Sequence, residues 1–256
     1  MDKLIIVDNL TKIYNVGTKN ENKVLNDISL EINNGEFVCI MGTSGSGKTT
    51  LINNLSTIDT PTKGRISIDG KDISLMNEKE LCDLRKQNIG FVFQSFNLID
   101  SISNFENISL PLLLLSKDKQ TIIDKIKIVS KKLNIQNIMQ KYPWECSGGE
   151  IQRVAIARAI ISEPKIIVAD EPTGNLDCNN SLELLGILSE LNKMGMTIIM
   201  VTHDSFVASH SSRMLYISDG SIIHDIKRGD LSQKEYYFKI ESVCSNHYQE
   251  ILNKGG

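Results

Sequence analysis

The sequence predicts an α/β fold, with a parallel-stranded core, an antiparallel β region ahead of it and a helical block inserted into it. Three observations carry this. The run 37–41 is apolar throughout, as a strand buried on both faces must be. Two further apolar runs, 166–169 and 197–201, are separated by a helical pattern over 181–193, the spacing of parallel βα units. From about 95 to 142 the periodicity changes, with Ile122, Ile126, Val129 and Leu133 three or four apart, which is helix.

The remaining elements follow along the chain. Residues 4–10, 28–32 and 64–68 read as short strands, and Asp69-Gly70 supplies a tight hairpin turn. Residues 89–93 form another strand. A closing hairpin, 214–218 with 221–226, turns at Asp219-Gly220. Beyond about 232, Tyr236, Tyr237, Ile240, Val243 and Ile251 recur at roughly helical spacing. The expected organisation is a main domain over 1–231, with a helical subdomain inserted at about 95–160, and a C-terminal helical tail over 232–256.

Composition excludes several classes. The balance of 28 Lys+Arg against 31 Asp+Glu, a net charge of -3, argues against a broad nucleic-acid-binding face. The 5 cysteines are odd in number, scattered and without a CxxC pair, so neither a disulfide framework nor a zinc site is expected and a reducing compartment fits. No signal-peptide pattern opens the chain. The densest apolar run, 110–115, is too short to span a bilayer and is expected in the core of the helical block. A role in transport would need a separate membrane polypeptide.

Gly42-Thr43-Ser44-Gly45-Ser46-Gly47-Lys48-Thr49 matches the phosphate-binding P-loop pattern, and Thr50 follows it. Glycines let backbone N–H groups point at phosphate oxygens, and the helix opening near Lys48 directs its positive dipole end at the same anion. Lys48 is expected to reach the β- and γ-phosphates, and the Thr49 hydroxyl to hold Mg²⁺. In Lys165-Ile166-Ile167-Val168-Ala169-Asp170-Glu171 an apolar strand ends in two acids at the sheet edge where ligands of such folds sit. Asp170 then orders Mg²⁺ through its water shell, and Glu171 polarises the water that attacks the γ-phosphate. The fold class is therefore α/β, a P-loop NTPase core with an N-terminal antiparallel β subdomain and an inserted α-helical subdomain.

Between these two elements stands Cys146-Ser147-Gly148-Gly149-Glu150, a Ser-Gly-Gly at the opening of a helix. With it the chain resembles the ATPases of ABC transporters over about residues 3 to 226. The resemblance implies an adenine-stacking role for Tyr14, a Mg²⁺- and water-contacting role for Gln94 with a link to the permease, the signature role for Ser147, Gly148 and Gly149, the D-loop role for Asp177 and the switch role for His203. It implies ATP and Mg²⁺ as ligands, a head-to-tail dimer of two copies that closes on ATP, and a separate permease whose coupling helix is received near 110–115. It also implies a cytoplasmic location on the inner face of the membrane, with no nucleic-acid partner. Glu150 stands where glutamine is common; an acid suits the helix dipole but repels a phosphate it faces. The phosphate contact is thus expected from Ser147 and the Gly148 and Gly149 amides, with Glu150 turned aside and Cys146 packing as a small hydrophobe.

Several details resemble the Bce-type subgroup, which confers resistance to bacitracin-like and lantibiotic peptides: Leu110-Pro111-Leu112 after Glu106-Asn107-Ile108, Pro172 to Asp177, Met200 to Asp204, Ala208-Ser209, Arg213, Ile217 to Gly220, and Tyr237-Phe238 in the tail. Lipoprotein-release, macrolide-export and cell-division ATPases share the same site residues. A soluble DNA-repair or translation ATPase fits less well. The helical insert has no long heptad arm, and the chain carries one nucleotide-binding unit.

Overall fold

A computed structural model of the chain describes residues 2–254, with the side chains of 248 and 250–254 outside that description. It divides into two compact units: the chain up to Ser74 joined with the chain from Ile199, and Leu75–Ile198 between them.

The first unit opens with β1 (Lys3–Tyr14) and β2 (Asn22–Asn33), paired antiparallel from Lys3↔Asn33 to Tyr14↔Asn22. Next come β3 (Phe37–Gly42), α1 (Lys48–Leu55), β4 (Lys63–Ile68) and β5 (Lys71–Asp72). The hairpin and the last two strands make a four-stranded antiparallel sheet in the order β2-β1-β4-β5. Its β4–β5 turn is Asp69-Gly70, as expected, both at positive φ (52° and 74°), the mirror-image turn that matches strand twist. β1 runs four residues past its expected end because bulges interrupt its alternation; the register shifts between Val7 and Leu10 and again between Leu10 and Lys12. Tyr14 therefore lies within the first hairpin, as the last residue of β1, and not ahead of it. In β3 every residue from Phe37 to Met41 is buried, as its unbroken apolar run requires.

The second unit holds α2 (Glu78–Asn88), β6 (Ile89–Phe93), α3 (Asn104–Leu114), α4 (Lys119–Lys132), α5 (Gly148–Ile160), β7 (Ile166–Asp170) and α6 (Cys178–Lys193). β6 and β7 pair in parallel from Ile89↔Ile166 to Phe93↔Asp170. α3 packs on α5 and α4, burying Ile108, Leu112, Ile122, Ile126 and Ile156. α2 is absent from the sequence reading because it is polar apart from Leu81 and Leu84; its signal is the box Asn77-x-x-Glu80, in which both reciprocal hydrogen bonds form. The expectation for 110–115 is corrected. Leu112 is core, but Leu113 and Leu114 are 54% and 63% exposed, because consecutive residues spread around a helix.

The chain returns to the first unit within β8 (Thr197–Val201). Then follow α7 (Ser205–Ala208), β9 (Arg213–Ser218), β10 (Ser221–Lys227) and α8 (Gln233–Lys254). β9 pairs in parallel with β3 and antiparallel with β10. Arg213, nearly buried, is held by Asp225 at 2.7 Å, Glu36 at 3.3 Å and the Glu31 carbonyl at 2.7 Å. α8 packs on α7. Tyr236 and Ile240 are fully buried, and the Tyr236 hydroxyl donates to the Ile226 carbonyl at 3.0 Å. The tail helix is packed at its start, and residues 255–256 and the side chain of Ile251 lie outside the described residues. Tyr236→Phe leaves that carbonyl without its buried partner and is expected to cost about 1–2 kcal/mol of unfolding free energy in urea titration. An unchanged midpoint would show that the bond contributes nothing.

Candidate nucleotide-binding site

In the first unit the phosphate loop leaves β3 at Gly42 and enters α1 at Lys48. Gly42 has φ 152°, and a Cβ there would lie 2.1 Å from the Ile217 carbonyl oxygen, so no other residue fits. Thr43, Ser44 and Gly45 form the exposed to half-buried rim, while Ser46 is buried with its hydroxyl meeting no protein partner. Gly47, at φ 102°, caps α1 without a side-chain hydrogen bond, so the amides at the helix start are not met by a capping side chain. The Lys48 ammonium bonds the carbonyls of Gly42 at 3.0 Å and Thr43 at 2.7 Å, which holds a positive charge over the loop. Gly45, Gly47, Lys48, Thr49, Thr50 and Val24 line a cleft of about 190 Å³. Backbone donors, a helix N-terminus and an ammonium in one small cleft make an anion site of the polyphosphate kind.

Two other expected residues belong to this unit. Tyr14 is anchored at its tip: its hydroxyl donates to the Asp59 carboxylate at 2.8 Å. His203 is exposed between β8 and α7. Its position is fixed on both sides, by the main-chain bond from Thr202 N–H to the Ile40 carbonyl at 3.2 Å and by Phe206 N–H donating to the Asp204 side-chain cap at 2.7 Å.

In the second unit, β7 ends in half-buried Asp170, and Glu171 follows at φ 46°, a left-handed conformation that a residue with this side chain seldom adopts. The turn beyond it is closed by Gly174 N–H to the Glu171 carbonyl at 3.0 Å. Gln94, exposed at the end of β6, packs on that turn. A Cβ on Gly174 would lie 2.7 Å from Gln94 Nε2, and Asn175 Nδ2 donates to the Gln94 carbonyl at 3.0 Å. Asp177 caps α6, accepting from the Asn180 amide at 2.9 Å and from Asn180 Nδ2 at 2.7 Å. The Asn180 amide N–H beside Asp177 holds its carboxyl below the usual range.

The signature segment opens α5. Ser147 is the N-cap, and the Glu150 carboxylate accepts from both its N–H at 2.8 Å and its hydroxyl at 2.9 Å. Glu150 is therefore not turned aside. It closes a capping box on Ser147 and takes both of that residue's donors, a pairing the pattern Ser-x-x-Glu already spells. The two glycines differ. A Cβ on Gly149 would meet Asn180 Oδ1 at 2.1 Å, whereas one on Gly148 would meet nothing. Asn180 thus joins the Asp177 cap to the signature helix. Gln152, one turn further on, donates to the Pro172 carbonyl next to Glu171 at 3.3 Å. Cys146 is more than a small hydrophobe, since its sulfur accepts from Asn104 Nδ2 at 3.3 Å and its thiol donates to the Tyr142 carbonyl at 3.6 Å.

The profile of the ABC transporter domain matches residues 25–174, more than half of the chain. The chain belongs to the ABC transporter ATPases. It is 47% identical over 231 residues, 90% of each chain, to the bacitracin export ATP-binding protein BceA of Halalkalibacterium halodurans. It is 41% identical to the macrolide export ATP-binding/permease protein MacB of Campylobacter jejuni, covering 90% of this chain and 35% of that one. Among solved structures, a dimeric post-hydrolysis state of the ATP-binding cassette MJ0796 bound to ADP and Pi matches with TM-score 0.80 and 37% identity, over 88% of this chain and 98% of that one. As a member of the family the chain is an ATP hydrolase and the ATP-binding subunit of an ABC transporter.

The Ser147 backbone and side-chain donors hold the Glu150 carboxyl of this ATPase below its ordinary value of 4.5. The stability this confers is complete above that value and is lost as pH falls through the folded-state value. Glu150→Gln should therefore flatten part of the acid-side loss in a series of denaturant melts at falling pH. Parallel wild-type and variant curves would refute the coupling.

Proposed function

We propose that this ATPase drives a separate membrane permease in the handling of antimicrobial peptides of the bacitracin and lantibiotic kind. The observation that carries the reading is the likeness to BceA along nine-tenths of both chains, on a site whose phosphate loop and acidic turn are intact. No helix among the described residues is long and apolar enough to cross a membrane. MacB, by its name, joins an ATP-binding part to a permease, and the likeness to it covers 35% of its length. An apolar groove of about 500 Å³ in the second unit, lined by Phe91, Phe93, Leu110, Pro111, Leu114 and Arg158 among others, is where a permease segment docks in this reading. The protein then works on the cytoplasmic face of the membrane, with residues 1–231 as the nucleotide-binding domain and 232–256 as its tail.

The chemistry assigns roles as follows. The backbone of Gly42 to Gly47, with Lys48 and Thr50, holds the phosphates, and Tyr14 stacks on the adenine. Thr49, Asp170 and Gln94 offer a hydroxyl, a carboxylate and an amide carbonyl, an all-oxygen set suited to Mg²⁺, which supplies charge neutralisation on the phosphate oxygens when bound. Glu171 polarises the attacking water, and His203 steadies the γ-phosphate. The cleft of about 190 Å³ is smaller than the roughly 300–1,000 Å³ of a complete ligand site. A second copy completes it, presenting Ser147, Gly148, Gly149 and Asp177 to the ATP of the first; the dimeric cassettes related to this chain support that arrangement. Gly148 has no steric need of its own to be glycine, so close approach to a partner's nucleotide is the reason it serves. A macrolide-export role is the second reading, favoured by the MacB likeness.

Lys48→Ala should abolish tight ATP binding in calorimetry. Glu171→Gln should keep binding, lower hydrolysis roughly a hundredfold or more, and accumulate an ATP-dependent dimer in light scattering. Wild-type turnover in that variant would remove Glu171 from its role. In cells, loss of the chain should raise sensitivity to bacitracin-type peptides and leave macrolide sensitivity unchanged; the reverse pattern would favour the second reading.

A further inference from the structure

A phosphate cleft made of backbone, one ammonium and two hydroxyls reads phosphates and is blind to the base. Discrimination of the base must come from the aromatic beside it, and the surroundings of Tyr14 are more built than stacking alone needs. Lys12 and Tyr14 stand two apart near the end of β1. The Lys12 ammonium sits over the Tyr14 ring, 4.9 Å from its centroid. It is nearly buried and is held by Asp59 Oδ1 at 2.5 Å and the Thr60 carbonyl at 2.8 Å. The other carboxylate oxygen, Oδ2, accepts from the Tyr14 hydroxyl at 2.8 Å.

The geometry points to a lock in which Lys12 and Asp59 fix Tyr14 as a one-faced platform for the nucleotide base, making Lys12 and Asp59 positioning residues for base recognition. This rests on the reading that Tyr14 stacks on adenine.

Three consequences of the arrangement serve that task. The cation occupies one face of the ring, which leaves the opposite face for a planar base, and Tyr14 as a whole is 37% exposed. The bond from the phenol tip to Asp59 stops the ring from swinging, so a base stacks on a surface already ordered. One carboxylate holds both the ammonium and the phenol, so cation and ring are set as one unit. The charges also balance. Burial pushes the Asp59 carboxyl up, but the hydrogen bonds from Lys12 and Tyr14 more than offset this and hold it below its usual range, so Asp59 meets the incoming polyphosphate as half of an ion pair.

The test compares ADP with inorganic pyrophosphate, which share phosphates and differ in the base. Affinities are measured by calorimetry on the full chain, with thermal midpoints to confirm folding. Tyr14→Phe keeps the ring and removes its anchor, and Lys12→Met removes the cation. Each should weaken ADP roughly three- to tenfold and leave pyrophosphate within about twofold. Asp59→Asn, which keeps the shape and loses the charge, should weaken ADP in the same selective way if Lys12→Met does not fold. Unchanged ADP affinity in these variants, or parallel loss of ADP and pyrophosphate, would overturn the lock. Tyr14→Ala separates the two claims. If it weakens ADP while the other variants do not, the platform stands and the lock falls; if it leaves ADP unaffected, both fall.

Discussion

The end of β3 is where backbone meets backbone with no room for a side chain, and the nucleotide site depends on that contact. β3 runs parallel to β9 as far as the pair Gly42↔Ile217, and there the Ile217 carbonyl occupies the space a Cβ on Gly42 would need. The loop beyond is tied to its neighbours by main-chain bonds. Gly220 N–H donates to the Ser46 carbonyl at 3.1 Å, and Asn26 N–H donates to the Gly220 carbonyl at 2.8 Å. Two hairpins therefore grip the phosphate loop through groups that every sequence possesses, and the side chains of Lys48 and Thr49 inherit their positions from it. Preorganisation of this kind lets an anion be met by dipoles that need no rearrangement.

In the second unit a few side chains carry the corresponding burden. Asn180 bonds the Asp177 carboxylate and fills the space above Gly149, and Gln152 reaches the Pro172 carbonyl. The start of the signature helix is thereby joined to both ends of the segment that holds Glu171 and the Asp177 cap. These are polar contacts between elements far apart in sequence, and they hold the acidic turn and the signature helix as one piece.

How much of this was legible follows from what each element buries. The runs 89–93, 166–169 and 197–201 are strands sunk in apolar surroundings, so their composition alone marks them. Hairpin turns at Asp69-Gly70 and Asp219-Gly220 announce themselves because few residue pairs accept positive φ twice. α2 was missed because two leucines make too thin a stripe for periodicity, although its capping box was written in the sequence. The same kind of box is spelled in the sequence at Ser147 and Glu150. Lys12 and Asp59 lie 47 residues apart and meet through the fold, so no local pattern announces their pairing. The site motifs were readable because phosphate chemistry demands fixed spacings; the side chains that position them obey no such spacing.

Glu171 carries one more implication. Its left-handed backbone costs on the order of 1–3 kcal/mol for a residue with a Cβ. Glycine or asparagine would relieve that strain, and neither brings a carboxylate. With Glu171 in its proposed role of polarising the attacking water, selection for thermal robustness and selection for turnover pull in opposite directions at a single codon. A screen for hardier versions of this chain that ignores activity would be drawn to that position, and would trade a working motor for a sturdier, idle one.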